Sequence, residues 1–260
     1  MTSNYYFLGS LLPDLQIGIP PEIDFQQLSF LLDTNLTKAD YERIRNARRY
    51  YDIQNIRSFW RGEPLSFRGN HDDVALEEAL ITQSALPSYV FDFIQKYDST
   101  EDRLHHFASL LATYFKTEIE HSSGFLHDYL NFQRELRLTL TALRSKKLGR
   151  DIMVELQYED LDDDLVRQII AQKDAKEYEP PERFSELKPL FDEHGDSPLE
   201  LHKALVEFQF HKVDELLGID FFTINRILAY MVKLIFVEKW LELDKKKGMQ
   251  LVDTIVKDAT

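Results

Sequence analysis

The sequence predicts an all-α fold. Glycine and proline are few and dispersed, apolar residues recur at helical spacing along most of the chain, and capping residues stand ahead of those stretches. Nine glycines and nine prolines in 260 residues are too few for a β-sandwich, which needs a turn roughly every ten residues. A hydrophobic fraction of 43%, with 12% aromatic, supplies a core that a disordered chain would lack.

The elements follow in order. Pro20 and Pro21 break the chain, and Asp24 can cap a helix carrying Phe25, Leu28, Leu31 and Leu32 on one face. Thr37, with Asp40 three residues on, opens a long helix that is mostly solvated on one side and runs to about Trp60, ahead of Gly62 and Pro64. A loop at Gly69 and Asn70 precedes a helix over 73–84, and Pro87 starts another through Val90, Phe91, Ile94 and Tyr97. Ser99 opens a helix through Leu104, Phe107, Leu111, Tyr114, Phe115 and Ile119. After Ser122 to Gly124 the pattern resumes through Leu126, Leu130, Phe132, Leu136 and Leu143.

Met153 to Leu156 reads as helix, with a short strand as the alternative, and the acidic run Glu159 to Asp164 as a helix start, where carboxylates oppose the helix dipole. Pro180 and Pro181 mark a boundary before Phe184, Leu187, Leu190 and Phe191. Ser197-Pro198-Leu199-Glu200 is a capping box with proline at the first helical position. Helices over 198–217, 221–244 and 248–258 are separated by Gly218 and Gly248. The apolar run Phe221 to Trp240 matches the roughly 20 residues of a membrane span, yet it contains Arg226, Lys233, Glu238 and Lys239. Arg226, Tyr230 and Lys233 share one narrow face, the pattern of a central core helix.

A formal charge of −14 disfavours nucleic acid and anionic bilayers, which require a basic face. With no cysteine there are no disulfides or thiolate metal sites, which suits a reducing cytoplasm. The start of the chain has no basic run typical of a signal peptide.

Three places share an arrangement of aromatic, apolar residues at plus three and plus six, aspartate, and a capped helix. They are Phe25-Leu28-Leu31-Asp33, Phe91-Ile94-Tyr97-Asp98 and Phe184-Leu187-Leu190-Asp192. They suggest three helical units over 1-86, 87-180 and 181-260, or three ordinary helix corners packed in a single domain.

Glu118 and His121 form a Glu-x-x-His pair of the kind found in di-iron bundles, with surface ion pairing as the alternative; no second copy occurs. His105, His106, His121 and His127 are close in sequence, but neighbouring histidines on a helix diverge. His71-Asp72-Asp73 reads as a cap. Gly-x-Ser-x-Gly, Gly-x-x-x-x-Gly-Lys and Gly-x-Gly-x-x-Gly are all absent, so neither a serine nucleophile elbow nor a nucleotide cradle of those types is present. No catalytic residue, metal or cofactor is assigned. Arg43, Arg45, Arg48, Arg49 and Arg57, with Tyr50, Tyr51 and Trp60, give one helix a basic and aromatic side. These residues form either a partner interface or intramolecular pairs with the abundant carboxylates.

The opening Asn4-Tyr5-Tyr6-Phe7-Leu8-Gly9-Ser10-Leu11-Leu12-Pro13-Asp14-Leu15 resembles the start of a bacterial family encoded among V-type ATP synthase subunits. The resemblance covers about the first dozen residues, with length and helical character beyond. It implies a non-catalytic protein of three related helical units, like the all-helical central-stalk component that joins the shaft of the V-type ATP synthase to its membrane rotor ring. Such a protein would be cytoplasmic and reach the inner face of the membrane only through protein partners.

Overall fold

The computed structural model describes residues 5–219 and 221–258, with side chains described through residue 245. Among the described residues the chain forms thirteen α-helices and one 3-10 turn, with no strand. Asn4, the first residue of the opening motif, lies outside them. The contacts group the helices into two units, where the sequence suggested three consecutive ones. One unit joins the residues up to Thr37 with those from Glu179 onward, and the other spans Lys38–Tyr178.

The discontinuous unit contains α1 (Tyr6–Leu11), α2 (Phe25–Asn35), a 3-10 turn at Glu182–Phe184, α11 (Leu187–His194), α12 (Pro198–Leu217) and α13 (Ile224–Asp258). Its centre is α13, buried almost all round from Ile227 through Val237. α12 and α2 both pack against it. Asp24 caps α2 in a full capping box with Gln27, and the Phe25 amide donates to Glu238 Oε1 at 2.8 Å. That carboxylate satisfies one of the orphan amides of the α2 amino terminus. Nearby, Gly18 has φ +82° and faces the Trp240 ring, which a Cβ would meet at 3.3 Å.

The continuous unit comprises α3 (Lys38–Arg61), α4 (Asp73–Thr82), α5 (Ser88–Lys96), α6 (Thr100–His105), α7 (Phe107–Glu120), α8 (Phe125–Leu148), α9 (Ile152–Glu155) and α10 (Asp164–Ala171). α7 packs on α3, α5 and α8, and α8 carries α9 and α10. Buried Tyr114, Phe115, Leu110 and Phe107 build the core from α7.

Several expectations change. The helix opened by Ser99 breaks at His106, whose ring Nδ1 lies 2.8 Å from the Asp102 carbonyl and which stacks on Tyr97 at 4.3 Å between ring centres. The ring thereby engages a carbonyl of the turn before it, and α7 starts afresh. Ser197 is the N-cap of α12 with Pro198 behind it, but its side chain makes no capping hydrogen bond. Residues 152–155 keep the helical reading over the strand alternative. The acidic run turns first, and α10 begins only after Asp163, which caps Val166. α13 starts at Ile224, not 221, and runs past Gly248 without a break. Of the three similar corners, Phe25 with Leu28 and Phe184 with Leu187 are buried alike. In the second corner Phe91, Ile94 and Tyr97 are half-buried, and Tyr89, Val90 and Phe93 fill the core instead.

The long face of α3 is less solvated than its composition suggests. Arg48, Asp52 and Asn55 stand one turn apart and together hold the loop after the helix. Asn55 pairs with the Ser66 backbone at 2.8 and 2.9 Å. Asp52 accepts from the amide and side chain of Asn70, both at 2.6 Å. Arg48 donates to the carbonyls of Arg68 and Gly69. Gly69 fits because a Cβ would lie 2.8 Å from both Asp52 Oδ1 and Asn55 Nδ2, neither of which can yield without breaking these bonds. Gly69→Ala is therefore expected to cost about 1–3 kcal/mol, the range for overpacking. Urea denaturation should show the lower midpoint, and an unchanged midpoint would mean the loop is not pinned this way.

Candidate functional site

The arginine helix is largely engaged within its own unit. Arg48 is held by the loop as described, and burial lowers its pKa. Arg49 Nη1 lies 2.6 Å from Glu118 Oε2, while the Tyr89 hydroxyl donates to Glu118 Oε1 at 2.9 Å. The Arg57 guanidinium covers the Phe107 ring at 5.3 Å, and Trp60 stacks on Phe93 at 6.0 Å. Tyr51 is buried, and Tyr50 meets the Tyr114 ring at 6.0 Å. Arg43 and Arg45 form one-turn pairs with Asp40 and Glu42; both arginines keep over 40% of the side chain exposed, and such pairs contribute little.

The structure does not bring Glu118 and His121 to a common point. Glu118 is buried with both oxygens occupied, and His121 is exposed with Nδ1 2.7 Å from the Thr117 carbonyl. His127 turns to the Ile119 carbonyl, and His71 sits 3.3 Å from Asp52. Among the described residues no group of three or more histidines and carboxylates could hold a metal ion.

What stands out at the surface is an aromatic corner in the discontinuous unit. Tyr5 and Leu8 anchor α1: the Tyr5 amide donates to the Phe222 carbonyl at 2.7 Å, its hydroxyl meets Thr37, and Leu8 is 1% exposed. The same turn points Tyr6 and Phe7 outward at 60% and 67% exposure, with Leu11 also exposed. Phe222 lies 4.7 Å from the Tyr6 ring and 6.4 Å from Phe221, itself exposed, and Ile219 is open to solvent. Gly9 lets α1 approach this closely, since a Cβ there would sit 3.3 Å from the Phe221 carbonyl. Sequence periodicity absorbs Phe221 and Phe222 into the core helix. The signal it passes over is Thr223, whose hydroxyl accepts from the Asn225 amide at the true helix start.

A family model described as "Protein of unknown function (DUF2764)" matches residues 1–259. The chain belongs to this family. An uncharacterized protein of Chlamydia pneumoniae is 32% identical to this DUF2764 chain, with 98% of each covered. Uncharacterized proteins of Chlamydia muridarum and Chlamydia trachomatis are each 29% identical, with 98% and 97% of the chains covered. No solved structure matches. In this DUF2764 chain no helix among the described residues is long and apolar enough to cross a membrane.

The buried polar groups carry two testable consequences. Glu118→Ala strands Arg49 and the Tyr89 hydroxyl, and should cost about 2–4 kcal/mol, near the range for breaking a buried pair. The paired variant Arg49→Met with Glu118→Met should recover part of that in denaturant melts; a single variant as stable as the parent would sink this account. Burial also pushes the Tyr178 and Tyr230 phenols up to about 12 and those of Tyr89 and Tyr114 up further, all above the value near 10 of an exposed phenol. The folded state then keeps protons that the unfolded chain releases. Stability from these groups is complete below about pH 10 and falls as pH rises beyond it. Phenolate absorbance should rise in two stages, the second coinciding with loss of helical circular dichroism. A single stage for all twelve tyrosines with the helices intact would contradict it.

Proposed function

We propose that this chain is a non-catalytic helical component of a V-type ATP synthase, a central-stalk or assembly part that docks on shaft and rotor-ring subunits. The observation that carries the reading is the aromatic corner. Tyr5, Tyr6, Phe7, Leu8, Gly9 and Leu11 belong to the opening that resembles the family encoded among V-type ATP synthase subunits, and Tyr6, Phe7 and Leu11 are turned outward beside Phe221 and Phe222. Clustered exposed aromatics are costly in water and typical of interface anchors. The docking surface is assigned to this corner rather than to α3, because Arg48, Arg49 and Trp60 already have partners in their own unit. The acidic composition fits attachment through protein subunits rather than directly to an anionic bilayer.

The test is affinity purification of the tagged full chain from its native cells in mild detergent, beside the variant Phe7→Ser with Phe221→Ser. The parent should retrieve shaft and rotor-ring subunits in fixed ratio, and the variant, with unchanged circular dichroism, should lose about tenfold or more of them. Failure of the parent to retrieve them from cells holding intact ATPase, or retrieval of unrelated proteins in fixed ratio instead, would refute the assignment.

A further inference from the structure

Within the discontinuous unit, α11 and α12 pack together and leave a cleft of about 560 Å³ between them. Its apolar lining is Pro189, Leu190 and Ala204 at the surface, above Phe208, which is buried and has Lys212 5.5 Å over its ring. Four glutamates stand around it: Glu186, Glu193, Glu207 and Glu215. The cation among the lining residues is Lys212, which sits 3.1 Å from both Glu186 and Glu215 and is taken up by them. Glu193 and Glu207, on opposite walls, have no lysine or arginine within ion-pair distance among the described residues.

Three other lysines of this unit are engaged elsewhere. Lys203 pairs with Asp244 at 2.7 Å over the Trp240 ring, Lys233 with Asp214 at 2.7 Å, and Lys188 with Glu179. The unit therefore neutralises carboxylates along its helix seams but leaves Glu193 on α11 and Glu207 on α12, both exposed at the cleft, without a lysine or arginine partner among the described residues. His194 and His211 line the same cleft, His194 Nε2 lying 3.7 Å from Glu193.

We infer that the α11–α12 cleft is a docking groove for a basic amphipathic helix of a partner protein. Its aliphatic side chains would cover Pro189, Leu190 and Ala204 while its lysines or arginines reach Glu193 and Glu207. The complementarity decides the occupant: an acidic or neutral segment would bury these carboxylates without compensation, whereas a basic one supplies the missing counter-charges. This groove is built from residues other than those of the aromatic corner, so it stands or falls separately from the ATP synthase assignment.

A fluorescein-labelled peptide of leucine and lysine at helical spacing, and its leucine and glutamate counterpart, would be titrated with the full chain by fluorescence anisotropy. The lysine peptide should bind with a dissociation constant on the order of micromolar and weaken with salt, as charge-steered contacts do. Glu193→Lys with Glu207→Lys should reduce affinity about tenfold or more. Glu77→Lys with Glu78→Lys, the same charge change on the exposed side of α4, should leave it within about twofold. Hydrogen exchange should slow in α11 and α12 on binding. Equal loss in both variants would reduce the effect to overall charge and overturn the groove, as would absent binding, equal binding of the glutamate peptide, or protection confined to other helices.

Discussion

A helix that is apolar on nearly every side must be surrounded, and α13 is such a helix: Ile227 to Met231 and Leu234 to Val237 are all buried. One neighbour, α12, precedes it directly through the turn at Gly218. The other has to come from elsewhere, and the chain supplies it from its first 37 residues, with α2 laid against α13. The Glu238 carboxylate receives the first amide of α2, and Trp240 packs on Gly18. Everything from Lys38 to Tyr178 thereby becomes a separate unit, inserted in the sequence between the two parts of the first.

Polar groups as well as an apolar core hold the second unit. Asp52, Asn55 and Glu118 are each buried, and each is met by partners rather than left bare. Farther along, Glu159 lies under Arg137 and near Arg134, which also reaches Asp163 at 3.0 Å. Asp163 is desolvated, yet the Val166 amide and Arg134 hold its pKa below the usual carboxylate value. Paired charges and a helix cap thus fix the turn between α9 and α10, where a short acidic run alone would repel itself.

Helix positions were legible because apolar spacing and caps such as Asp24 and Ser99 are local signals. The break at His106 was not, because it depends on a ring finding a carbonyl and Tyr97 at once. The grouping of α2 with α13 was equally hidden, since it joins residues more than two hundred positions apart. At the surface, composition drew attention to the arginines of α3, but composition cannot distinguish an arginine facing solvent from one facing Glu118. The aromatic corner is hidden in the sequence for the opposite reason: phenylalanine beside a core helix reads as core, and only the turn at Thr223 leaves Phe221 and Phe222 outside it.

The discontinuous unit also sets an order of events during synthesis. Its first helices leave the ribosome long before α13 exists, so Phe25, Leu28 and Leu32 emerge with nothing to cover them. Meanwhile the whole of Lys38–Tyr178 can complete its own core. The amino-terminal segment must wait through that interval before the helix that covers its apolar face has been made. A chain stopped short of residue 224 would lack the helix against which α2 rests in the full chain.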